Sequence, residues 1–258
     1  GRENDRIRAS FAPRFALSCT EELLRAVAEL SRETGALIHT HACENQSEIK
    51  LVEKNTGLTN IDYFKKVGLT SPRLVCAHGV WLADRDVKTL AAARSTITHC
   101  PSSNLKLASG IADIPRLLKA KVRVALGADG APCNNHLDAI GEMRQAGLVQ
   151  KPKHGPKSMP APLLLDLATR EGAKALHWFD DIGSIELGKK ADMTLIDLRG
   201  PRCLLPAGEE LSLKSIASTL IYSGGASNVD STWVDGERVW DGKTVRGRSE
   251  ERRVGKEC

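Results

Sequence analysis

RLVCAH (residues 73–78) and VRVALGAD (residues 122–129) each run from apolar, β-favouring residues into an ionisable side chain. ALIHTH (36–41) and STITH (95–99) are built the same way. Short apolar runs bounded by turn or helix signals read as strands. Outward from them, the spacing turns helical. Leu23, Val27 and Leu30 follow Ser18-x-x-Glu21, which has the spacing of a capping box. Asp84 suits the cap of a helix after RLVCAH, and Ile111 to Ala120 reads as another helix before VRVALGAD. A further strand-like run lies within Ile7 to Leu17. Strands separated by helices predict βαβ units, a parallel sheet and an α/β fold.

His41, His78, His99 and Asp129 all stand where these predicted strands end. In a parallel barrel those ends form the face that carries chemistry. After a helix starting near Pro160 the pattern changes. Ile185 to Leu198 and Thr232 to Trp240 are strand-like, and Asp235-Gly236 suits a tight hairpin turn, so a small β appendage is predicted. Lys151 to Pro162 reads as a Pro-rich loop.

The chain of 258 residues is long enough for one large α/β domain, or a domain with an appendage. At 41% hydrophobic and 27% charged it has the balance of a soluble protein with a core. Lys plus Arg is 37 against 32 for Asp plus Glu, and the excess is scattered, with no basic run interleaved with aromatics. Nucleic acid is therefore not an expected partner. No apolar run is long enough to span a bilayer and no signal peptide is evident, so the expected setting is cytoplasmic, without a membrane. The seven cysteines are odd in number and lack a close pair. They fit reduced thiols better than a disulfide framework or a zinc knuckle.

His39 and His41 are two apart and share a strand face, which would suit a two-histidine metal clamp. Glu44 follows three residues on, where the strand should be turning. A histidine ligand beside a carboxylate suits metal-assisted hydrolysis: the ion acidifies a water and the carboxylate moves its proton. Asp129 offers a hard oxygen ligand, and His78 a group to orient the water or stabilise charge. Cytidine-type zinc deaminases need H-x-E with P-C-x-x-C. Here the spacing is H-x-x-E, and Pro132-Cys133 is followed by His136 where the second cysteine belongs. H-E-x-x-H is absent too, which disfavours a zincin.

HTHACEN (39–45), AHGVWL (77–82), HCPSSNLKLASG (99–110) and LGADGAPCNN (126–135) together resemble the amidohydrolase superfamily, in its branch of purine, cytosine and triazine aminohydrolases. IGSIELGKKADMTLIDL (182–198) is similar to the stretch where that family's chain re-enters its β-sandwich. The resemblance implies a partial TIM (β/α)8 barrel, about the last five βα units, with part of a small β-sandwich at the C-terminal end. The implied divisions are residues 1–180 for the barrel and 181–247 for the appendage. Residues 248–258 (RSEERRVGKEC) are similar to the translation of a sequencing adapter and are expected to be a disordered artefact.

By the same resemblance, His41 and Asp129 would bind one divalent ion, zinc first, with iron or manganese as alternatives. Glu44 would shuttle protons and contact substrate, His78 would hold the water or substrate, and Asp129 would also act as base. His39 becomes a structural neighbour, and His99 with Ser102 to Asn104 become packing and loop-shaping residues. The family draws two further ligands from an H-x-H on its first barrel strand. No such segment precedes His39, so the implied reading is an amino-terminally truncated, inactive and poorly soluble piece.

The implied reaction is hydrolytic deamination of an amino-substituted purine or related nitrogen heterocycle, a small-molecule partner, by a protein with scope to be a homo-oligomer. Ala12-Pro13-Arg14-Phe15 is similar to guanine deaminases, where the arginine grips the purine carbonyl. LGADGAPCNN and LDAIGEMRQAG look more like deaminases of methylthioadenosine or S-adenosylhomocysteine. A triazine chlorohydrolase and a non-catalytic homologue used for binding or assembly are the alternatives.

Overall fold

The computed structural model describes residues 6–203 and 211–246; the adapter-like segment 248–258 lies outside the described residues. Strands β1 (Ser10–Phe11), β2 (Leu37–Ala42), β3 (Leu74–His78), β4 (Thr96–His99) and β5 (Arg123–Leu126) lie side by side in sequence order. Every neighbouring pair is parallel. Parallel neighbours need long crossovers, and helices supply them. They are α1 (Glu21–Thr34), α2 (Gln46–Thr56), α3 (Asn60–Lys66), α4 (Asp84–Ala93), α5 (Pro101–Lys106) and α6 (Ile114–Lys119). The predicted α/β class and parallel sheet are what the structure has.

After β5 come α7 (Ala139–Leu148), α8 (Lys151–His154), α9 (Ala161–Ala168) and α10 (Arg170–Ala175). A second sheet follows, formed antiparallel by β6 (Met193–Ile196), β7 (Val229–Val234) and β8 (Glu237–Trp240). Helix α11 (Leu213–Ser223) lies between β6 and β7 in sequence and packs against α7 and α9. The β7–β8 turn places Asp235 at φ 52° and Gly236 at φ 79°. Two consecutive positive φ values are what a two-residue hairpin of this type demands, as the Asp-Gly pair predicted.

Burial explains how the first sheet holds together. All five residues of β3 are buried, as in a parallel strand covered on both faces. In β2, Ile38, Thr40 and Ala42 are buried, whereas Leu37, His39 and His41 share the less covered face. Helix α1 turns Leu24, Val27, Ala28 and Ser31 inward. The close approach of β4 to β5 depends on one glycine: a Cβ on Gly127 would lie 2.5 Å from Thr98 Cγ2.

Several local expectations are corrected. Leu23 and Leu30 are 48% and 42% exposed, so the buried stripe of α1 is set one residue out of phase with them. Thr20, not Ser18, caps that helix, its side chain accepting from Leu23 N at 3.2 Å. Ser18 Oγ instead accepts from Phe15 N, closing the single turn Ala16–Ser18. Only Ser10–Phe11 of the first predicted strand pairs, because the chain then bends into that turn. Asp84 is the first residue of α4, and Asp86 caps it by accepting from Ala83 N at 2.9 Å. Helix α6 starts at Ile114, capped by Asp113, which leaves Ile111 outside it and 52% exposed. Ile185 and Leu187 lie outside β6 and are almost wholly exposed, so apolar character there does not make a strand. The Pro-rich stretch holds α8 and the start of α9.

Among the described residues no helix is long and apolar enough to cross a membrane, and the six described cysteines are free.

Candidate active site

The C-terminal ends of β2, β3 and β5 bring the site together. At each, a non-glycine residue takes a positive φ: Cys43 (55°), His78 (75°) and Asp129 (66°). This region is uncommon for L side chains, and such conformations persist where the surroundings enforce them, often at functional sites. The turns let three strands deliver side chains to one point. His41, His78 and Asp129 each offer a ligand atom, and these atoms lie within 4.8 Å of one another. The His41 and His78 rings stack, with centroids 5.3 Å apart.

Each of the three is held from behind. His41 Nδ1 is 2.7 Å from the Arg14 carbonyl oxygen. A carbonyl only accepts, so Nδ1 carries the proton and Nε2 keeps its lone pair, the arrangement usual for a metal-binding histidine. His78 is wholly buried, with Nδ1 2.8 Å from Asn104 Oδ1 and no partner at Nε2. Asp129 Oδ2 accepts from Ser103 Oγ at 2.5 Å and Oδ1 from Gly130 N at 2.7 Å.

Glu44 closes the group. Its backbone N–H donates to the buried Glu48 Oε2 at 2.8 Å. Its carboxylate accepts from Ser109 Oγ at 3.0 Å through Oε1, and its Oε2 is 3.8 Å from His78 Nε2. Ser109 is itself fixed, since its carbonyl accepts from Trp81 Nε1 at 2.7 Å. Next to it, a Cβ on Gly110, at φ 124°, would meet Val80 and Trp81 at 2.9 and 3.0 Å.

The electrostatics suit a cation. Burial alone would raise the pKa of Asp129, but hydrogen bonds from Ser103 and Gly130, with His78 and His41 nearby, bring it below the usual carboxylate value. Asp129 is thereby kept ionised, as a ligand must be. An ionised carboxylate and two imidazoles, one of them with its buried Nε2 unpartnered, form a donor set that fits a divalent ion. His99, at the end of β4, is buried with both ring nitrogens unpartnered, and burial pushes its pKa down to about 3. It stays neutral. His39 also has a lowered pKa, from burial first and His41 second.

The exposed Arg14 guanidinium lies over the Phe15 ring, 5.9 Å from its centroid, and its carbonyl is what holds His41. A cavity of about 330 Å³ opens on the same sheet face, lined by His39, Val75, Thr98, Ala125 and Trp178 among others. It contains none of the four site residues and is largely apolar, so the chemistry lies outside it. Ser103, Asn104 and Ser109 were not anticipated as site residues; the first two were expected only to shape a loop. The strand-end rule could not find them, because each lies past a strand and meets its partner across 26, 26 and 65 residues.

The carboxyl edge of a parallel α/β sheet thus carries an imidazole–carboxylate cluster that could hold a divalent ion. The match to the amidohydrolase family model over residues 1–239 is specific, and the chain belongs to that family. It is 39% identical over 238 residues to a 5-methylthioadenosine/S-adenosylhomocysteine deaminase of Pyrococcus abyssi, covering 92% of this chain and 54% of the relative. The crystal structure of an adenosine deaminase from Xanthomonas campestris with bound zinc matches with a TM-score of 0.89 at 29% identity, over 97% of this chain and 56% of that one. Guanine deaminase of E. coli matches with a TM-score of 0.82 at 29% identity, over 90% and 55%. The chain thus spans about half the length of the curated relatives it matches.

Proposed function

We propose that this chain carries part of the active site of a metal-dependent aminohydrolase that deaminates an adenosine-type purine. The observation that carries the reading is the convergence of His41, His78 and Asp129 within 4.8 Å, with Glu44 beside His78. In this reading residues 1–180 belong to a partial barrel and 181–247 to an appended β-sandwich. His41 and Asp129 hold a divalent ion, zinc by analogy with the Xanthomonas campestris enzyme. The ion, when bound, lowers the pKa of a water. Asp129 takes a proton from that water, and His78 holds the water against the ring carbon. As the oxygen adds, Glu44 donates a proton to the adjacent ring nitrogen. Asp129 returns its proton to the amine, the C–N bond breaks and ammonia leaves, while the proton remaining on the added oxygen passes to Glu44 and restores it. The reaction is soluble chemistry on a small molecule, in keeping with a cytoplasmic setting.

Adenosine-type substrates are favoured because two relatives at 39% identity are a 5'-deoxyadenosine deaminase and a 5-methylthioadenosine/S-adenosylhomocysteine deaminase. Guanine is the second reading, carried by Arg14, whose fixed, always charged guanidinium suits a purine carbonyl. The test is ammonia release with methylthioadenosine, S-adenosylhomocysteine, adenosine and guanine. It uses the zinc-loaded chain, alone and as the longest reading frame its gene supplies. Turnover of an adenosine-type purine is expected from the longer form. No release from any purine by metal-loaded protein would overturn the proposal, and release from guanine alone would transfer it to the second reading.

A further inference from the structure

We propose that Asn104 is a positioning residue that fixes the tautomer of His78, keeping the proton on Nδ1 and the lone pair on Nε2. The tautomer follows from Asn104 turning Oδ1, and not its unpartnered Nδ2, to the ring, while its use deepens, and rests on, the functional reading above. His78 is 0% exposed, and the one hydrogen-bond partner its ring has among the described residues is Asn104 Oδ1, at 2.8 Å. An amide oxygen only accepts, so the ring nitrogen facing it must carry hydrogen. Neutral histidine free in water favours the opposite tautomer, with hydrogen on Nε2. Asn104 therefore reverses an intrinsic preference.

The reversal decides what the site offers. Nε2 of His78 lies 3.8 Å from Glu44 Oε2, too far for a direct hydrogen bond. A lone pair and a carboxylate oxygen are both acceptors. Facing one another at that separation, they call for a donor between them, and a water with two hydrogens fits. The Nε2–H form would instead present a donor there and leave no lone pair to accept from the water.

Asn104 is well placed for this task. It is 1% exposed on α5, with its N–H bonded to Cys100 O and its carbonyl accepting from Ser109 N at 2.8 Å. Ser109 Oγ reaches Glu44, and Ser103 on the same helix reaches Asp129. One short segment thus sets three of the four site side chains.

The experiment is long-range ¹H–¹⁵N spectroscopy of the full chain labelled on histidine nitrogen, with His78 assigned by its loss in His78→Gln. The metal-free wild type is expected to show protonated Nδ1 and lone-pair Nε2. Asn104→Leu, similar in size but without an acceptor, should shift the tautomer ratio toward Nε2–H by about tenfold, the scale of one hydrogen bond. Asn104→Asp, which retains an acceptor oxygen, should preserve Nδ1–H. A packing role alone would not move this ratio. Nε2–H in the wild type would overturn the assignment, as would Nδ1–H persisting in Asn104→Leu. Should Asn104→Leu not fold, the wild-type and Asn104→Asp spectra decide: Nε2–H in either overturns it. Absence of ammonia release would overturn the functional reading and leave this result standing.

Discussion

Glu44 and His41 stand three residues apart in the sequence, yet they are asked for different things. His41 is tethered through Nδ1 to a carbonyl, which leaves Nε2 free to ligate; Glu44 accepts from Ser109 and faces His78. Removing each should therefore fail differently. Glu44→Gln keeps the shape and can still accept from Ser109, but it has no proton to give or take. In the active form of the protein, kcat should fall by about 10²–10⁴-fold, with metal content unchanged. His41→Gln should lower the metal content itself, together with activity. Metal analysis and ammonia release on the same preparations separate the two. Glu44→Gln with wild-type kcat would remove Glu44 from the mechanism.

At the scale of elements, the first helix gives a sharp test, because two candidate caps are two residues apart. Thr20 satisfies the Leu23 N–H at the start of α1, whereas Ser18 closes a separate turn with Phe15. Thr20→Ala should cost about 1 kcal/mol, read as a lower urea midpoint. Ser18→Ala should cost distinctly less; the reverse order would restore the capping-box reading. The same helix shows what a sequence can disclose. Four of the five strands were legible within a few residues, because apolar runs ending in ionisable residues leave little alternative, whereas of the run Ile7 to Leu17 only Ser10–Phe11 pairs. The phase of α1 was not, since Leu23, Leu24, Val27 and Leu30 offer two apolar stripes and only the sheet beneath selects one. His41, His78 and Asp129 were legible because each stands at or just beyond a strand end. The side chains that aim them were not, because Ser103, Asn104 and Ser109 gain their partners only when β4 and β5 close on β3. Nor does sequence spacing reveal positive φ at Cys43, His78 and Asp129.

Across the whole molecule, those requirements set a pH limit on stability. His99 is buried at the end of β4 with neither nitrogen bonded, and its pKa in the fold is about 3. In an unfolded chain it would titrate near ~6.5. Between those values the unfolded chain binds the extra proton and the folded one does not. Unfolding free energy therefore rises with pH across this window. The contribution is fully present above the unfolded value and is lost as pH falls below it, at up to about 1.4 kcal/mol per pH unit. His99→Leu removes the titrating group while keeping an apolar side chain in the same buried place. Urea midpoints of the full chain at pH 7.5, 6.5 and 5.5 should fall more steeply for the wild type than for His99→Leu. The difference in slope should be about 1 kcal/mol per pH unit below pH ~6.5. The two proteins should run parallel above it, where His99 is neutral in both states. Carboxylates that titrate lower down contribute equally to both and cancel in the difference. Parallel curves across the whole range would mean that His99 takes up a proton in the folded protein. The packing at the end of β4 would then have to admit a charge.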